Sequence, residues 1–468
     1  MTERPESAGT TGTATPAAGD HGIPFADAVR VWLRVAALSF GGPAGQIAVM
    51  HRIVVDEKRW IGEHRFLNAL NYCMLLPGPE AQQLAVYLGW LLHRTKGGLV
   101  AGCLFVLPGF LAILALSYVY VVYGNIGLVA GMFFGLKAAV LAIVLHAVLR
   151  IGRRALRNGV MVGIAVAAFA AIFLLDVPFP ALIAAAALIG YVGGRAGSPL
   201  FAVGGGHGAA TGGLADRDSA LGDGTPAHAR PSLAWSLRVS AICLVLWLAP
   251  TALLLVTLGG DDVFSRIAVF FSQMAVVTFG GAYAVLAWVA QEAVQHFGWL
   301  APGEMLDGLG MAETTPGPLI QVVQFVGFLA AFRDPGSLDP LVAATLAAVL
   351  TTWVTFVPCF LWIFLGAPFI EKLRENRALA GAMAAITAAV AGVIVNLAVW
   401  FALHLLFAEL APWQGFGMRI DVPVWSSLDL PALLLTAAAI VAIFRLRVPM
   451  LATLAASTLL GMLWFAVR

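Results

Sequence analysis

The sequence predicts an all-α polytopic membrane protein in which about 13 hydrophobic segments form two inverted repeats with Gly/Pro-broken helices. Three observations lead there. The 468 residues are 60% hydrophobic and only 11% charged, with a mean hydropathy of +0.90. A soluble domain runs about 45–50% apolar and about 25% charged, so this chain has too few polar groups to coat a surface facing water. Its apolar residues gather in runs of the length that crosses a bilayer, about 20 residues each. Motifs of the first half also return in the second half in the same order.

Along the chain, the first 24 residues are rich in Thr, Gly, Ala and Pro and hold no apolar run. They read as a disordered cytoplasmic tail rather than a secretory signal. Apolar segments follow near 27–50, 66–92, 98–123, 125–149, 159–176, 179–194, 235–259, 265–291, 305–332, 340–367, 379–408, 430–444 and 448–467. Two of them, 179–194 and 430–444, are short for a full span. Between 195 and 234 the composition turns polar, with Gly204-Gly205-Gly206, Asp216, Arg217, Asp218 and Pro226, which reads as a flexible cytoplasmic linker. The expected plan is a tail (1–24), a first repeat (25–194), the linker (195–234), a connecting transmembrane helix (235–259) and a second repeat (260–468).

The repeat rests on spacing. Ser39-Phe40-Gly41-Gly42 matches Thr278-Phe279-Gly280-Gly281, Trp60 matches Trp299, and Pro77-Gly78-Pro79 matches Pro316-Gly317-Pro318, all at a shift of 239. Leu107-Pro108 then matches Val357-Pro358, and Ala138-Ala139-Val140 matches Ala388-Ala389-Val390, at 250. Several matches in one order indicate an internal duplication. Seven segments separate the two starts, an odd number, so the copies should lie upside down to one another, as in many transporters.

Charge sets the orientation. Arg150, Arg153, Arg154 and Arg157 form one basic loop, Lys372, Arg374 and Arg377 another, Arg445 and Arg447 a third. Placing them in the cytoplasm puts the N-terminus inside and the C-terminus outside. The basic stretch 51–65 fits this only if segments 27–50 and 66–92 are re-entrant, turning back at Gly41-Gly42-Pro43 and Pro77-Gly78-Pro79; full-length broken helices are the other reading.

Those breaks are the candidate site. Proline withdraws an amide and glycine reaches conformations closed to other residues. A half-helix beginning at Pro43, Pro79 or Pro318 aims the positive end of its dipole at whatever sits in the break, so converging ends can hold an anion. Gln46, Gln82, Gln83, Gln321, Gln324 and Thr315 flank the breaks as polar contacts, and Glu80 and Glu313 are candidates for proton coupling or gating. Lys137, inside an apolar segment, could neutralise part of a dianion, pair with a carboxylate or snorkel to the interface. Arg30 and Arg34, one turn apart, could draw anions from the cytoplasm or contact lipid phosphates. His146 and Asn396, at matching positions, read as helix–helix hydrogen-bonding residues.

Composition excludes other classes. A net charge of +2 gives no basis for nucleic-acid binding. Cys73, Cys103, Cys243 and Cys359 lie in apolar runs with no Cys-x-x-Cys pair or Cys/His cluster, so no metal or other cofactor is expected. No nucleotide loop or haem motif marks an enzyme.

Phe40-Gly41-Gly42-Pro43, Gln46, Arg59-Trp60 and Leu76-Pro77-Gly78-Pro79-Glu80 with Gln83 resemble the chromate ion transporter family. Thr278-Phe279-Gly280-Gly281 and Thr315-Pro316-Gly317-Pro318 repeat the resemblance, which covers nearly the whole chain outside tail and linker. It implies a two-domain, long-chain transporter of the bacterial inner membrane. The implied activity is secondary-active efflux of chromate, conferring chromate resistance, with sulfate as the competing look-alike and protons or anion exchange as the driving force. A homodimer is compatible with this reading, as is a passive anion channel on the same fold. The second copy departs from the pattern, with Ala282 in place of Pro43, Val285 of Gln46 and Leu319 of Glu80, so the halves should do unequal work.

Overall fold

The structure, a computed structural model, describes residues 21–201, 213–224, 226, 228, 233–366, 376–415 and 418–467. Residues 1–20 of the expected tail, and Lys372 and Arg374 of the second basic loop, lie outside the described residues. Helices dominate, as composition requires of a chain whose main-chain groups must be satisfied without water.

Each break predicted from glycine and proline is a break. Helix α1 (Phe25–Leu38) stops at Ser39, and α2 (Gly42–His51) starts after Gly41, with Pro43 in its first turn. Helix α3 (Glu63–Cys73) stops before Pro77-Gly78-Pro79, and α4 (Glu80–Tyr123) starts directly after it. At 44 residues α4 is about twice the length a bilayer needs. It folds back on itself at His93 and Arg94, whose φ is +53°. The two arms touch through glycine: a Cβ on Gly89 would lie 2.5 Å from the Gly97 carbonyl oxygen, and one on Gly97 2.1 Å from that of Gly89.

Segments 27–50 and 66–92 are therefore re-entrant hairpins. Both ends of each lie on one face. Arg34 of α1 pairs with Glu57, beyond α2, at 2.6 Å, and His93 Nε2, at the end of the first arm of α4, lies 2.9 Å from the Ile23 carbonyl, before α1. The loop after α2 makes a single π-helical turn, Lys58 N–H donating to Ile53 O. From this face the second arm of α4 crosses to the other, and α5 (Gly127–Ala155), α6 (Gly159–Leu175) and α7 (Phe179–Arg195) cross in turn. The basic stretch 51–65 thus shares a face with Arg150–Arg157, which removes the conflict in the charge pattern.

The expected flexible linker is in part a docked strap. Glu63 N–H donates to Leu214 O, Ala220 N–H to Arg59 O and Leu221 N–H to Trp60 O. Arg65 reaches the carbonyls of Asp223 and Gly224, and its amide donates to Asp216 Oδ1. The polar residues that look like a solvated linker in sequence are the ones that satisfy the mouth of the hairpins.

Helix α8 (Leu233–Leu258) carries the chain to the opposite face, where the second copy begins. Helices α9 (Val263–Val277) and α10 (Ala282–Gln291) flank Thr278-Phe279-Gly280-Gly281, and α11 (Glu304–Thr314) and α12 (Val322–Arg333) flank Thr315-Pro316-Gly317-Pro318. Arg333 closes the second hairpin onto Glu304 at 2.6 Å. Even the π-turn recurs, Phe297 N–H donating to Glu292 O, each residue 239 beyond its counterpart. This mouth meets the far ends of the first copy: Tyr120 near the end of α4 bonds Asp307 at 3.0 Å, and Gln291 bonds Asp176 after α6. The hairpins of the two copies therefore open to opposite faces, and the repeats are inverted.

Helices α13 (Pro340–Gly366), α14 (Arg377–Leu406), α15 (Leu430–Ile440) and α16 (Met450–Val467) complete the second copy. A hairpin of β1 (Leu410–Gly415) and β2 (Met418–Pro423), paired Leu410 to Pro423, interrupts the all-helical plan between α14 and α15. Its alternating Trp413, Ile420 and Val422 suit a pleated ribbon better than a helix.

The copies lock through small residues. A Cβ on Gly131 of α5 would lie 2.7 Å from the Gly461 oxygen of α16, and one on Gly381 of α14 2.5 Å from the Gly190 oxygen of α7. Gly131 and Gly381 are 250 apart, so the two contacts are one interface seen twice. Gly131–Gly135 and Gly190–Gly194 are the small-xxx-small spacing that lets membrane helices approach closely. The helix–helix hydrogen bond expected of His146 is not made among the described residues: the ring packs edge-on against Phe444, and its Nδ1 has no partner.

Candidate anion site at the hairpin tips

All four tips meet in the interior between the faces. Their glycines hold matching left-handed conformations: φ is +80° at Gly41 and +72° at Gly280, +70° at Gly42 and +106° at Gly281, +122° at Gly78 and +114° at Gly317. Ser39 and Thr278 each turn a hydroxyl back to the preceding helix, onto Val35 O and Met274 O, both at 2.6 Å.

The tips are stitched crosswise. Gly78 N–H donates to Thr278 O at 2.7 Å, and Gly317 N–H donates to Ser39 O at 2.9 Å. Each bond joins one copy's Pro-Gly-Pro to the other copy's Gly-Gly tip, and the two are related by the internal symmetry. Gln46 reinforces the second through its Nε2, which donates to Gly317 O at 2.5 Å. Gln83 Nε2 donates to Pro77 O at 2.7 Å.

This corrects the expectation that every break offers free amides. The Gly78 and Gly317 amides are committed to holding the copies together. Among the described residues, the N–H groups of Gly41, Gly42, Gly280 and Gly281 donate to no protein acceptor. A Cβ added at Gly41, Gly42 or Gly281 would meet no atom within 4 Å, so space lies open beside them. The Gly-Gly tips, at the starts of α2 and α10, thus carry the unpaired donors, and their helix dipoles favour negative charge.

Two carboxylates stand beside the tips. Glu80 begins α4, is half-buried, has no hydrogen-bond partner among the described residues, and feels the charge of Arg154. Glu313 ends α11, is buried, and accepts a hydrogen bond from Tyr283, with Arg150 acting on both. Thr315 is buried next to it. Gln82 is fully buried with neither end partnered, while Gln321 bonds Gln324 at 2.6 Å and Thr352 at 3.1 Å.

Lys137 is not at the tips. It pairs with Asp307 of α11 at 3.1 Å, toward the mouth of the second copy's hairpins, so of its three readings the carboxylate pair is the one observed. Arg34 is held by Glu57, and Arg30 by Asp27 at 3.1 Å. Arg30 and its partner Asp27 line a cavity of about 400 Å³ on the first face with Ile23, Lys58 and Trp60. Sequence reasoning missed Asp307 and Tyr283. The signal for Asp307 was present, an isolated acid inside the apolar stretch Met305–Met311. Tyr283 had none, because a tyrosine near a helix start reads equally as an interfacial anchor.

Opposed re-entrant hairpins, in inverted copies, with unpaired main-chain donors where their tips meet, define an inverted-repeat membrane transporter, a multi-pass protein and not an enzyme. The sequence profile of the chromate transporter family matches residues 26–191 and 265–462, and the chain belongs to that family in its two-domain form. It is 32% identical over 397 residues to the chromate transport protein of Pseudomonas aeruginosa, covering 83% of each chain. It is 27% identical over 370 residues to the chromate transport protein of Cupriavidus metallidurans, 79% of this chain and 80% of that one. A shorter match, 34% identical over 122 residues, covers 26% of this chain and 61% of the uncharacterized transporter YwrB of Bacillus subtilis. No solved structure matches the chain significantly.

Proposed function

We propose that this protein exports chromate, a tetrahedral dianion, from the bacterial cytoplasm across the inner membrane by secondary-active transport and so confers chromate resistance. The observation that carries this reading is the pair of Gly-Gly tips, whose four glycine amides are unpaired among the described residues, with open space beside Gly41, Gly42 and Gly281. Main-chain donors and helix dipoles suit a doubly charged oxyanion of chromate's shape. Sulfate has the same charge and shape and is the competing cargo. Membership of the chromate transporter family favours chromate.

The basic residues Arg150, Arg153, Arg154 and Arg157 support a cytoplasmic first face, with the linker and the N-terminus on that side. Arg30, on the wall of the 400 Å³ cavity there, attracts anions to the entrance. Glu80 repels a dianion while ionised and admits it when protonated, which makes it the gate. Glu313, bonded to Tyr283, takes the same role in the second copy. Homodimers of the chain are compatible with every contact described.

Labelled chromate and sulfate uptake into inside-out vesicles, under pH gradients of each sign, tests the proposal. Chromate accumulation that an uncoupler collapses is the expected result. Equilibration without accumulation would make the protein a channel, and sulfate accumulation without chromate would reassign the cargo. Glu80→Gln should flatten the pH dependence, and an unchanged profile removes Glu80 from the gate.

A further inference from the structure

Away from the tips, five side chains form a polar chain near the second face, running from the exposed Arg333 to the buried Asp307. Lys137 Nζ of α5 lies 3.1 Å from Asp307 Oδ2. The Tyr120 hydroxyl of α4 donates to the same oxygen at 3.0 Å and lies 3.4 Å from Glu304 Oε1. Arg333 of α12 pairs with that Glu304 oxygen at 2.6 Å and donates to Trp299 O. The chain joins α4 and α5 of the first copy to the hairpin α11–α12 of the second.

Asp307 is the odd member. Its side chain is 2% exposed, and among the described ion pairs it is the one fully buried carboxylate. Its Oδ1 has no partner and no contact with solvent. A buried carboxylate oxygen left unpaired is costly, and a purely structural latch has no use for one. Lys137 is a quarter exposed, so it can leave the pair and remain solvated. From Asp307, α11 runs less than two turns to Glu313 and then into Thr315-Pro316-Gly317, where the Gly317 amide holds the first copy.

We propose that Asp307, paired with Lys137, is the proton-binding site that couples proton entry from the second face to movement of the α11–α12 hairpin. This rests on the export reading above. A proton arriving from that face binds Oδ1 and forms one O–H bond. Lys137 stays an ammonium, so the pair passes from neutral to a net charge of +1 and its attraction is lost. The hairpin is then freed from α5, and release of the proton to the cytoplasm restores the pair. The charged and titratable groups facing Asp307 are Lys137 from α5, Tyr120 from α4, Glu304 from its own helix and, through Glu304, Arg333 from α12. Helix α16, which also touches α11, holds no charged residue.

The test uses the full-length protein in liposomes with Asp307→Asn and Lys137→Met. Two transport readouts are needed: labelled chromate exchange at equal concentration and pH on both sides, and net uptake driven by a pH gradient. Asp307→Asn should keep exchange at the wild-type rate and lose gradient-driven uptake by about a hundredfold or more, the size of losing a positioned proton-transfer group. Lys137→Met should move the pH midpoint of driven uptake upward, because the cation that favours the carboxylate is gone. Driven uptake unchanged in Asp307→Asn, or an unmoved midpoint in Lys137→Met, overturns the proposal. So does a folded Asp307→Asn protein that loses exchange and driven uptake together, which is the behaviour of a structural latch. A wild-type protein that moves no chromate in either assay would instead sink the export reading. Infrared difference titration then decides separately: a protonated-carboxyl band that appears on acidification in wild type and is missing in Asp307→Asn supports the site, and identical spectra overturn it.

Discussion

Gly78 and Gly317 do a different job from Gly41 and Gly42, although all four are glycines at breaks. A Cβ on Gly78 would lie 2.8 Å from Gln83 Nε2 and 2.9 Å from Cys359 Sγ, at a φ of +122°. Gly317 is equally confined, 3.2 Å from the Gly109 Cα in the same construction. Gly78→Ala and Gly317→Ala should each destabilise the protein by about 1–3 kcal/mol through backbone strain, with loss of the cross-copy bond. Thermal unfolding in detergent reads this. Gly41→Ala has open space around it and carries only the conformational penalty of its φ of +80°, about 1 kcal/mol. Its larger effect should be on transport, since the methyl group enters the anion's space. A Gly41→Ala protein with normal transport would show that the anion does not use that tip.

The docked strap is the element that most constrains the first face. His228 anchors its end, with Nε2 2.9 Å from the Trp90 carbonyl and its ring edge-on to the Trp90 indole. Burial pushes the His228 pKa below the ordinary histidine range; the hydrogen bond to Trp90 opposes it, and the charges of Arg94 and His21 add smaller pushes downward. The docked state therefore holds fewer protons than the released one. Docking is favoured above the ordinary histidine pKa of about 6.5 and weakens as pH falls below it. Hydrogen-exchange protection over residues 213–224, taken relative to the intrinsic amide rate at each pH, should fall as pH drops below about 6.5, and His228→Gln should remove part of that fall. Protection that is indifferent to pH would mean that His228 is a spectator.

At the scale of the whole molecule, inversion predicts which surfaces share a compartment. Asp56 and Asp218 are exposed on the first face, and Asp261 and His296 on the second. Single cysteines placed by Asp56→Cys and Asp218→Cys should react with an impermeant maleimide from one side of the membrane, and those placed by Asp261→Cys and His296→Cys from the other. Labelling of Asp56→Cys from the side that labels His296→Cys would break the inverted arrangement. The tips are unequal in sequence: Glu80 follows Pro-Gly-Pro in the first copy, and Glu313 precedes it in the second.

Periodicity, composition and repeated motifs were enough to establish membrane helices, their breaks and the duplication, because each is a local property. An apolar run must cross or enter a bilayer, and a Pro-Gly-Pro must interrupt a helix wherever it lies. The sequence also placed Gln46, Glu80, Glu313 and the glycines at the breaks, since they are neighbours along the chain. Only the tertiary structure decided that segments 27–50 and 66–92 turn back, because a break permits either course and contacts such as Arg34 to Glu57 choose between them. It alone spent the Gly78 and Gly317 amides on the opposite copy, gave Lys137 to Asp307 and folded residues 213–224 over the hairpin mouth. Each of these pairs residues more than 100 positions apart, and a local pattern cannot report which distant group will satisfy a buried donor or charge.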